Sequence, residues 1–336
     1  MNVLLTCAGR RNYLVDYFKE ALNGEGEVYV LNSNTDSASM IAADEAIEAP
    51  FLYAPNYINF VLDVCTKYDI KLVVSLFDIE LPILSRQKKM FESKGILLAV
   101  SDEEVIRICN DKLLTIDYLN KMKLPTLYTT TNLNDAIEAI INMKASYPLF
   151  IKPRWGMGSI AIQMVENEEE LRFFYNKIRK DIDKSYIKHY DSIIVEESII
   201  IQERAKGQEY GLDIINDMKG NYITTFVKMK IEMRSGETDV AMTVDNKALY
   251  DLGAMIGKDL KHIGNLDVDV FWDGSKAVVL EMNARFGGGY PFSHLAGANI
   301  PKAYISWAKN EVPEVSNFVI NTGVKSLKGI KMLLFK

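Results

Sequence analysis

The sequence predicts an α/β, Rossmann-like N-terminal domain followed by a mixed α+β region of two further units. Three observations carry this. Short apolar strands alternate with helical patterns over the first hundred residues. From about residue 101 the texture changes to capped helices and antiparallel strand pairs. Residues 265–289 then read as a hairpin with one polar face, followed by Arg285 and a run of three glycines. A chain of 336 residues is too long for one ordinary core and suits two or three packed units.

Residues 3–6 (VLLT) have the length and apolarity of a buried strand. Residues 13–22 carry Leu14, Tyr17, Phe18 and Ala21 at helical spacing. Residues 28–31, 72–75 and 96–99 are three more strand-like runs. Strands alternating with helices imply a parallel sheet covered on both faces. The first turn, residues 7–11 (CAGRR), has a single glycine, so the dinucleotide fingerprint is missing and an NAD site is discounted. Arg10 and Arg11 open the next helix, where they either meet a substrate anion or are simply solvated. Asp78 and Glu80 lie just past the strand at 72–75, where open α/β sheets place ligands. They either bind a substrate cation or open the following helix.

Beyond residue 101, Ser101-Asp102-Glu103-Glu104 and Asn110-Asp111-Lys112 cap two helices, and residues 132–145 form an amphipathic third. Residues 148–152 (PLFIK) make a strand ending in Lys152. The next glycines, Gly156 and Gly158 with Ser159, imitate a dinucleotide loop, but IAIQMV follows and reads as a strand. A glycine turn between antiparallel strands is a flap that can lay N–H groups over a polyphosphate, with Lys152 adding its charge. Residues 253–258 are one residue short of a P-loop and continue with Asp259, so that motif is rejected. After a charged helix at 166–184, residues 199–203 form a strand that leads into a polar hinge at 205–213 (AKGQEYGLD). Such a hinge suits an adenine, whose edge is read by backbone groups. On the long strand at 222–233, Lys228, Lys230, Glu232 and Arg234 alternate onto one face. This row either faces a triphosphate or lines a protected edge. Residues 243–261 are helical.

In the hairpin, Asp267 and Asp269 share one face, as do Glu281 and Asn283. A three-residue turn at Asp273-Gly274-Ser275 pairs Trp272 with Lys276, which sets Asp267 opposite Glu281 and Asn265 opposite Asn283. Val268, Val270, Val278, Leu280 and Met282 then cover the other side. Clustered oxygens beside apolar neighbours suit Mg²⁺, a hard cation that needs few protein ligands when phosphates supply the rest. Arg285 and Gly287, Gly288 and Gly289 offer a cation and bare N–H groups to an anion. An exposed acidic hairpin is the alternative.

Composition narrows the class. Apolar content of 48% with 25% charged residues is that of a globular protein. A net charge of −6 argues against nucleic acid or a membrane surface as partner. Cys7, Cys65 and Cys109 are odd in number and scattered, which points to a reducing cytoplasm.

Lys112 before a helix, the Lys152 strand with its glycine flap, Gln202-Glu203…Glu209, and Asp269…Glu281-x-Asn283-x-Arg285 occur in that order. This order resembles the ATP-grasp superfamily over nearly the whole chain, most nearly its stand-alone carbamoyl-phosphate-synthetase-like and amino-acid ligases. Ala284 stands where the family usually has proline. The resemblance implies a pre-ATP-grasp domain at 1–102, a first grasping subdomain at 103–190 and a second at 191–336. It implies that Lys112 and Lys152 contact the α- and β-phosphates of ATP beneath the flap of Gly156, Gly158 and Ser159. Gln202 and the backbone of Glu203 and Ala205 would read the adenine, and Glu209 would hold the ribose. Gln202 departs from the usual acidic residue there. Asp269, Glu281 and Asn283 would hold Mg²⁺ (or Mn²⁺), and Arg285 would steady the transferring phosphoryl group; Lys228 and Arg234, from the row of charges on the 222–233 strand, are the other catalytic candidates. Asp267 has no standard role in the family and is a candidate to support the residues that do. The expected function is an ATP-dependent carboxylate–amine ligase working through an acyl phosphate. The alternatives are phosphorylation of bicarbonate or another small acid, or a non-catalytic ATP-binding partner protein. Expected partners are a small carboxylate and an amine, and the superfamily often forms homodimers.

Overall fold

The computed structural model describes residues 1–156, 161–183 and 197–334. Among them the N-terminal sheet is fully parallel. Its strands are β1 (Asn2–Thr6), β2 (Val28–Asn32), β3 (Glu45–Glu48), β4 (Ile70–Ser75) and β5 (Leu97–Leu98), in the order β3-β2-β1-β4-β5. Near-continuous apolarity in β1, β2 and β4 follows from burial on both faces. Leu4, Tyr29, Leu31 and Val73 enter one core, while Val3, Leu5, Val30 and Val74 enter the other. β3 is a charged, exposed edge strand and carries no apolar run in the sequence.

The strand order reverses direction between β1 and β4. The loops that follow these two strands therefore face a crevice at the switch point, where open sheets hold ligands. The helix Asn12–Leu22 buries Leu14, Val15, Phe18 and Leu22 in the second core. Phe286, Tyr290, Tyr304 and Ile305 from the far end of the chain join it there. This packing brings Arg285 against the N-terminal sheet.

Two antiparallel sheets follow. The first contains β6 (Thr129–Thr130), β7 (Leu149–Pro153), β8 (Gln163–Val165) and β9 (Ile199–Glu203), in the order β6-β9-β7-β8. β9 thus pairs within the first sheet although it lies beyond the expected boundary at 190. The second has six strands in the order β14-β13-β10-β11-β12-β15: β10 (Gln208–Asn216), β11 (Tyr222–Arg234), β12 (Glu237–Thr243), β13 (Asn265–Trp272), β14 (Ala277–Asn283) and β15 (Lys325–Leu327). The helix Lys247–Leu260 packs Leu249, Leu252, Ile256 and Leu260 into the core that holds Val268, Val270 and Met282. The rejected P-loop motif lies inside this helix. Its Gly253 is required by packing, since a Cβ there would sit 2.4 Å from Thr225 Oγ1.

The hairpin register corrects the expectation. Trp272 pairs with Ala277, and the Asp273 carboxylate accepts from the Ser275 and Lys276 N–H groups, which lengthens the turn. A bulge at Leu280 then sets Asp269 opposite Glu281 and Asp267 opposite Asn283. Val278 and Leu280 consequently line the polar side instead of the apolar cover. Asn265 is fully buried and structural: its amide donates to the Arg285 carbonyl and its N–H to Tyr304 Oη. The three cysteines are free thiols, and no helix among the described residues is long and apolar enough to cross a membrane.

Candidate active site

A cleft of about 960 Å³ lies between the two antiparallel sheets. Lys112, Lys152, Gly156, Gln202, Glu203, Ala205, Glu209, Asp269 and Glu281 all line it. Lys112 opens the helix Lys112–Lys121, which Asp111 caps by accepting from the N–H groups of Leu113 and Leu114. Asp111 also binds Arg154 at 2.8 Å, which ties the helix to the end of β7. Lys112 Nζ donates to the Gly156 carbonyl at 2.8 Å. Lys152 is buried on β7, and burial lowers its pKa to about 8, with the Lys112 charge second. Among the described residues neither lysine has a carboxylate at ion-pair distance. Two lysines brought together without a partner carboxylate fit a polyphosphate. Gly158 and Ser159 lie outside the described residues.

At the hinge, Gln202 is buried and its amide donates to Thr129 Oγ1 at 3.0 Å. The Glu203 N–H already donates to the Tyr128 carbonyl, so that donor is closed to an adenine, contrary to the expectation. The Glu203 carboxylate accepts from the Ser146 N–H. Glu209 accepts from Lys230 at 2.6 Å, and Lys230 donates equally to Asp269 at 2.6 Å. Burial works against the Lys230 charge, but Asp269 and Glu209 outweigh it and hold its pKa above the ordinary value.

Asp269 faces Glu281 across the hairpin. Burial raises the Asp269 pKa to about 7 against the pull of Lys230, with Asp267 and Glu281 adding to the rise. For Glu281, burial is opposed by Lys112 and Lys152, which with Asn283 and Arg285 hold its pKa below the usual range. Asn283 donates to Glu281 at 3.4 Å. Among the described residues no trio of His, Cys, Asp or Glu converges as a cage. Two carboxylates and an amide still suit a hard cation whose other oxygens come from phosphate and water.

A second cavity, about 170 Å³, shares Asp269, Glu281 and Gly236 with the cleft and also meets Lys228, Asn283 and Arg285. Arg285 binds Asp78 at 3.0 Å and Asp267 at 3.0 Å, and the two carboxylates more than offset its burial. Asp267, expected only as a supporting residue behind the site, therefore holds Arg285. Gly287 makes this possible, because a Cβ there would lie 2.1 Å from the Asp267 carboxylate. No local signal links Asp78 to Arg285, which are 207 positions apart. Glu80 faces inward and accepts from Thr6, Ser75 and Tyr57 at 2.7, 2.6 and 2.5 Å, so it does not reach a substrate. Burial raises its pKa. Lys228 pairs with the buried Asp213, which also accepts from Ser293 at 2.5 Å. Arg234 does not join the site. Shifts in the β11–β12 register around Glu232 turn it outward, where it pairs with Asp239 and stays 68% exposed.

Residues 109–289 match the family model described as ATP-grasp domain, and residues 3–99 match the PylC-like N-terminal domain. Solved structures share the fold at low identity. The biotin carboxylase domain dimer of Hydrogenobacter thermophilus 2-oxoglutarate carboxylase, in complex with MgADP, ADP and bicarbonate, is 18% identical with a TM-score of 0.74, covering 96% of this chain and 73% of that one. An L-amino acid ligase from Bacillus licheniformis is 18% identical with a TM-score of 0.71, covering 93% and 76%. The N5-carboxyaminoimidazole synthetase of Staphylococcus aureus complexed with ADP is 16% identical with a TM-score of 0.68, covering 93% and 78%. Identities this low speak to the fold, whereas the family match spans more than half of the sequence. On that match, the chain belongs to the ATP-grasp family.

Proposed function

We propose that this protein is an ATP-dependent carboxylate–amine ligase that activates its acid as an acyl phosphate and releases ADP and phosphate. The observation that supports it best is the pair Lys112 and Lys152, without a carboxylate at ion-pair distance among the described residues, in one cleft with Asp269 and Glu281. Those two carboxylates also line the smaller cavity that holds Arg285. Carboxylate attack on the γ-phosphate brings two anions together, and the reaction needs their repulsion neutralised and the partners held in line. Lys112 and Lys152 would hold the phosphates. Gln202, the Glu203 carbonyl and Ala205 would meet the adenine, and Glu209 the ribose. A Mg²⁺ ion held by Asp269, Glu281 and Asn283, for which Mn²⁺ can substitute, would supply further neutralisation at the phosphates. Arg285, fixed by Asp78 and Asp267, would steady the transferring group, with Lys228 beside it. On the pairing of β9 we place the division between the two grasping subdomains after Glu203, not at 190.

The amine as acceptor is favoured by the amino-acid ligase among the structural relatives. Bicarbonate, present in the carboxylase relative, is the second reading for the acid. The dimeric state of that relative makes a homodimer the assembly to look for by sedimentation. Turnover with the right acid should transfer ¹⁸O from its carboxylate into the released phosphate, with ADP as the other product. Label in AMP, or AMP as the dominant product, overturns the reading.

A further inference from the structure

The ligase reading leaves one charge in the smaller cavity unexplained. Its other cations are each matched by carboxylates. Arg285 has Asp78 and Asp267, Lys228 has Asp213, Lys230 has Glu209 and Asp269, and Arg10 has Glu237 at 3.0 Å. Glu237 is itself bound a second time, by Lys328 at 3.2 Å. Arg11 stands apart. Its guanidinium donates to the Leu76 carbonyl, and among the described residues it has no carboxylate at ion-pair distance. Burial, then the neighbouring Arg285 charge, pulls its pKa down against the weaker opposing pull of Tyr13, Asp78 and Asp267, so the site carries positive charge at a cost. An anion placed there would relieve it.

The position supports a ligand. Arg11 ends the loop after β1, and Leu76 follows β4, so the pair spans the switch point of the parallel sheet. The helix Asn12–Leu22 starts directly after Arg11 without a side-chain cap, which adds its positive end to the same crevice. Asp269 and Glu281 line both cavities and mark the junction where the phosphoryl group would transfer, whereas Arg11 lines the smaller cavity alone. That cavity, about 170 Å³, holds the volume of about six water molecules at ~30 Å³ each, enough for a short acid.

We propose that the acid activated here is a short dicarboxylate, with one carboxylate at the junction beside Glu281 and Arg285 and the other held by Arg11. This rests on the ligase reading. An oxygen of the junction carboxylate forms a bond to the γ-phosphorus as the bond from that phosphorus to the bridging oxygen breaks, its electron pair leaving with ADP. The carboxylate on Arg11 keeps its oxygens and its charge throughout. Arg11 is then a specificity residue contributed by the N-terminal domain.

Calorimetric titration of the full chain with succinate, glutarate and butyrate, in the presence of Mg²⁺ and a non-hydrolysable ATP analogue, tests this. A dicarboxylate should bind about tenfold tighter than butyrate or better. Arg11→Gln should remove that preference while leaving the weak butyrate affinity in place, and Arg11→Lys should restore part of it. The unliganded Tm of Arg11→Gln should be unchanged or higher, because a like charge beside Arg285 is gone. Equal affinity for both acid types, a preference that survives Arg11→Gln, or no binding of either dicarboxylate overturns the proposal. Adding ATP and hydroxylamine separates it from the ligase reading. Hydroxamate formed equally well from butyrate leaves the ligase standing and removes the role of Arg11. Arg11-dependent dicarboxylate binding without ADP release does the reverse.

Discussion

Single residues in this site are set by the balance between burial and neighbouring charge. Lys152 is the clearest case, with its pKa lowered to about 8 by burial and by Lys112. Its charge is present below pH 8 and is lost above it. A bound polyphosphate favours the charged form and raises that pKa, so binding takes up a proton above pH 8. Affinity for an ATP analogue should therefore be level below pH 8 and fall above it, by up to about tenfold per pH unit. Titrations across that range check this, and Lys152→Met should bind weakly with no such limb. Glu281 is the opposite case, a buried carboxylate kept ionised by Lys112 and Lys152. Glu281→Gln is nearly isosteric, so the Tm should change little. ADP formation at saturating Mg²⁺ should fall by about a hundredfold or more. Turnover close to that of the unmodified protein would remove Glu281 from the metal set.

At the scale of elements, the hairpin of β13 and β14 organises the site, and its usefulness depends on irregularities. The bulge at Leu280 aligns Asp269 with Glu281, and Asp267 with Asn283. Just beyond it, the missing side chain of Gly287 leaves room for the Asp267 carboxylate that anchors Arg285. Gly287→Ala places a methyl group within 2.1 Å of that carboxylate, at the Cβ position. It should cost about 1–3 kcal/mol in a urea melt. It should also lower kcat, because Arg285 would lose one of its two carboxylates while the cleft around Lys112 and Lys152 is unchanged. Loss of stability with full kcat would mean that Asp267 serves packing alone.

For the whole molecule, contacts between the first and last thirds of the chain hold the site together. The Tyr17 ring stacks on His294 with centroids 3.6 Å apart, and Phe18 meets Phe286 and Tyr304 edge-on. His262 is fully buried, with its Nε2 at 3.0 Å from the Ile214 carbonyl. Burial lowers the pKa of both His262 and His294 to about 4. The unfolded chain, with histidines near 6.5, then binds more protons than the folded one between pH 6.5 and 4. Stability is full above that window and declines as pH falls through it. His262→Gln should flatten part of this decline, read as Tm against pH. An unchanged slope would assign the acid sensitivity to carboxylates instead.

The sequence by itself determined whatever depends on the burial of a local face. β1, β2 and β4 were readable because strands buried on both faces must be apolar throughout. The polar face of the 265–289 hairpin was readable because side chains alternate along a strand. The proximity of Lys112, Lys152 and Glu281 came from resemblance, since nothing local joins them. Only the tertiary structure decided which charges meet. Asp78 finds Arg285 across the interface between the N-terminal sheet and the second antiparallel sheet, Lys230 bridges Glu209 and Asp269, and Arg234 turns out to Asp239. The reason is physical: periodicity records which side of an element is dry. Register shifts and ion pairs instead depend on how several elements pack at once, and one turn carboxylate such as Asp273 can move a register by a residue.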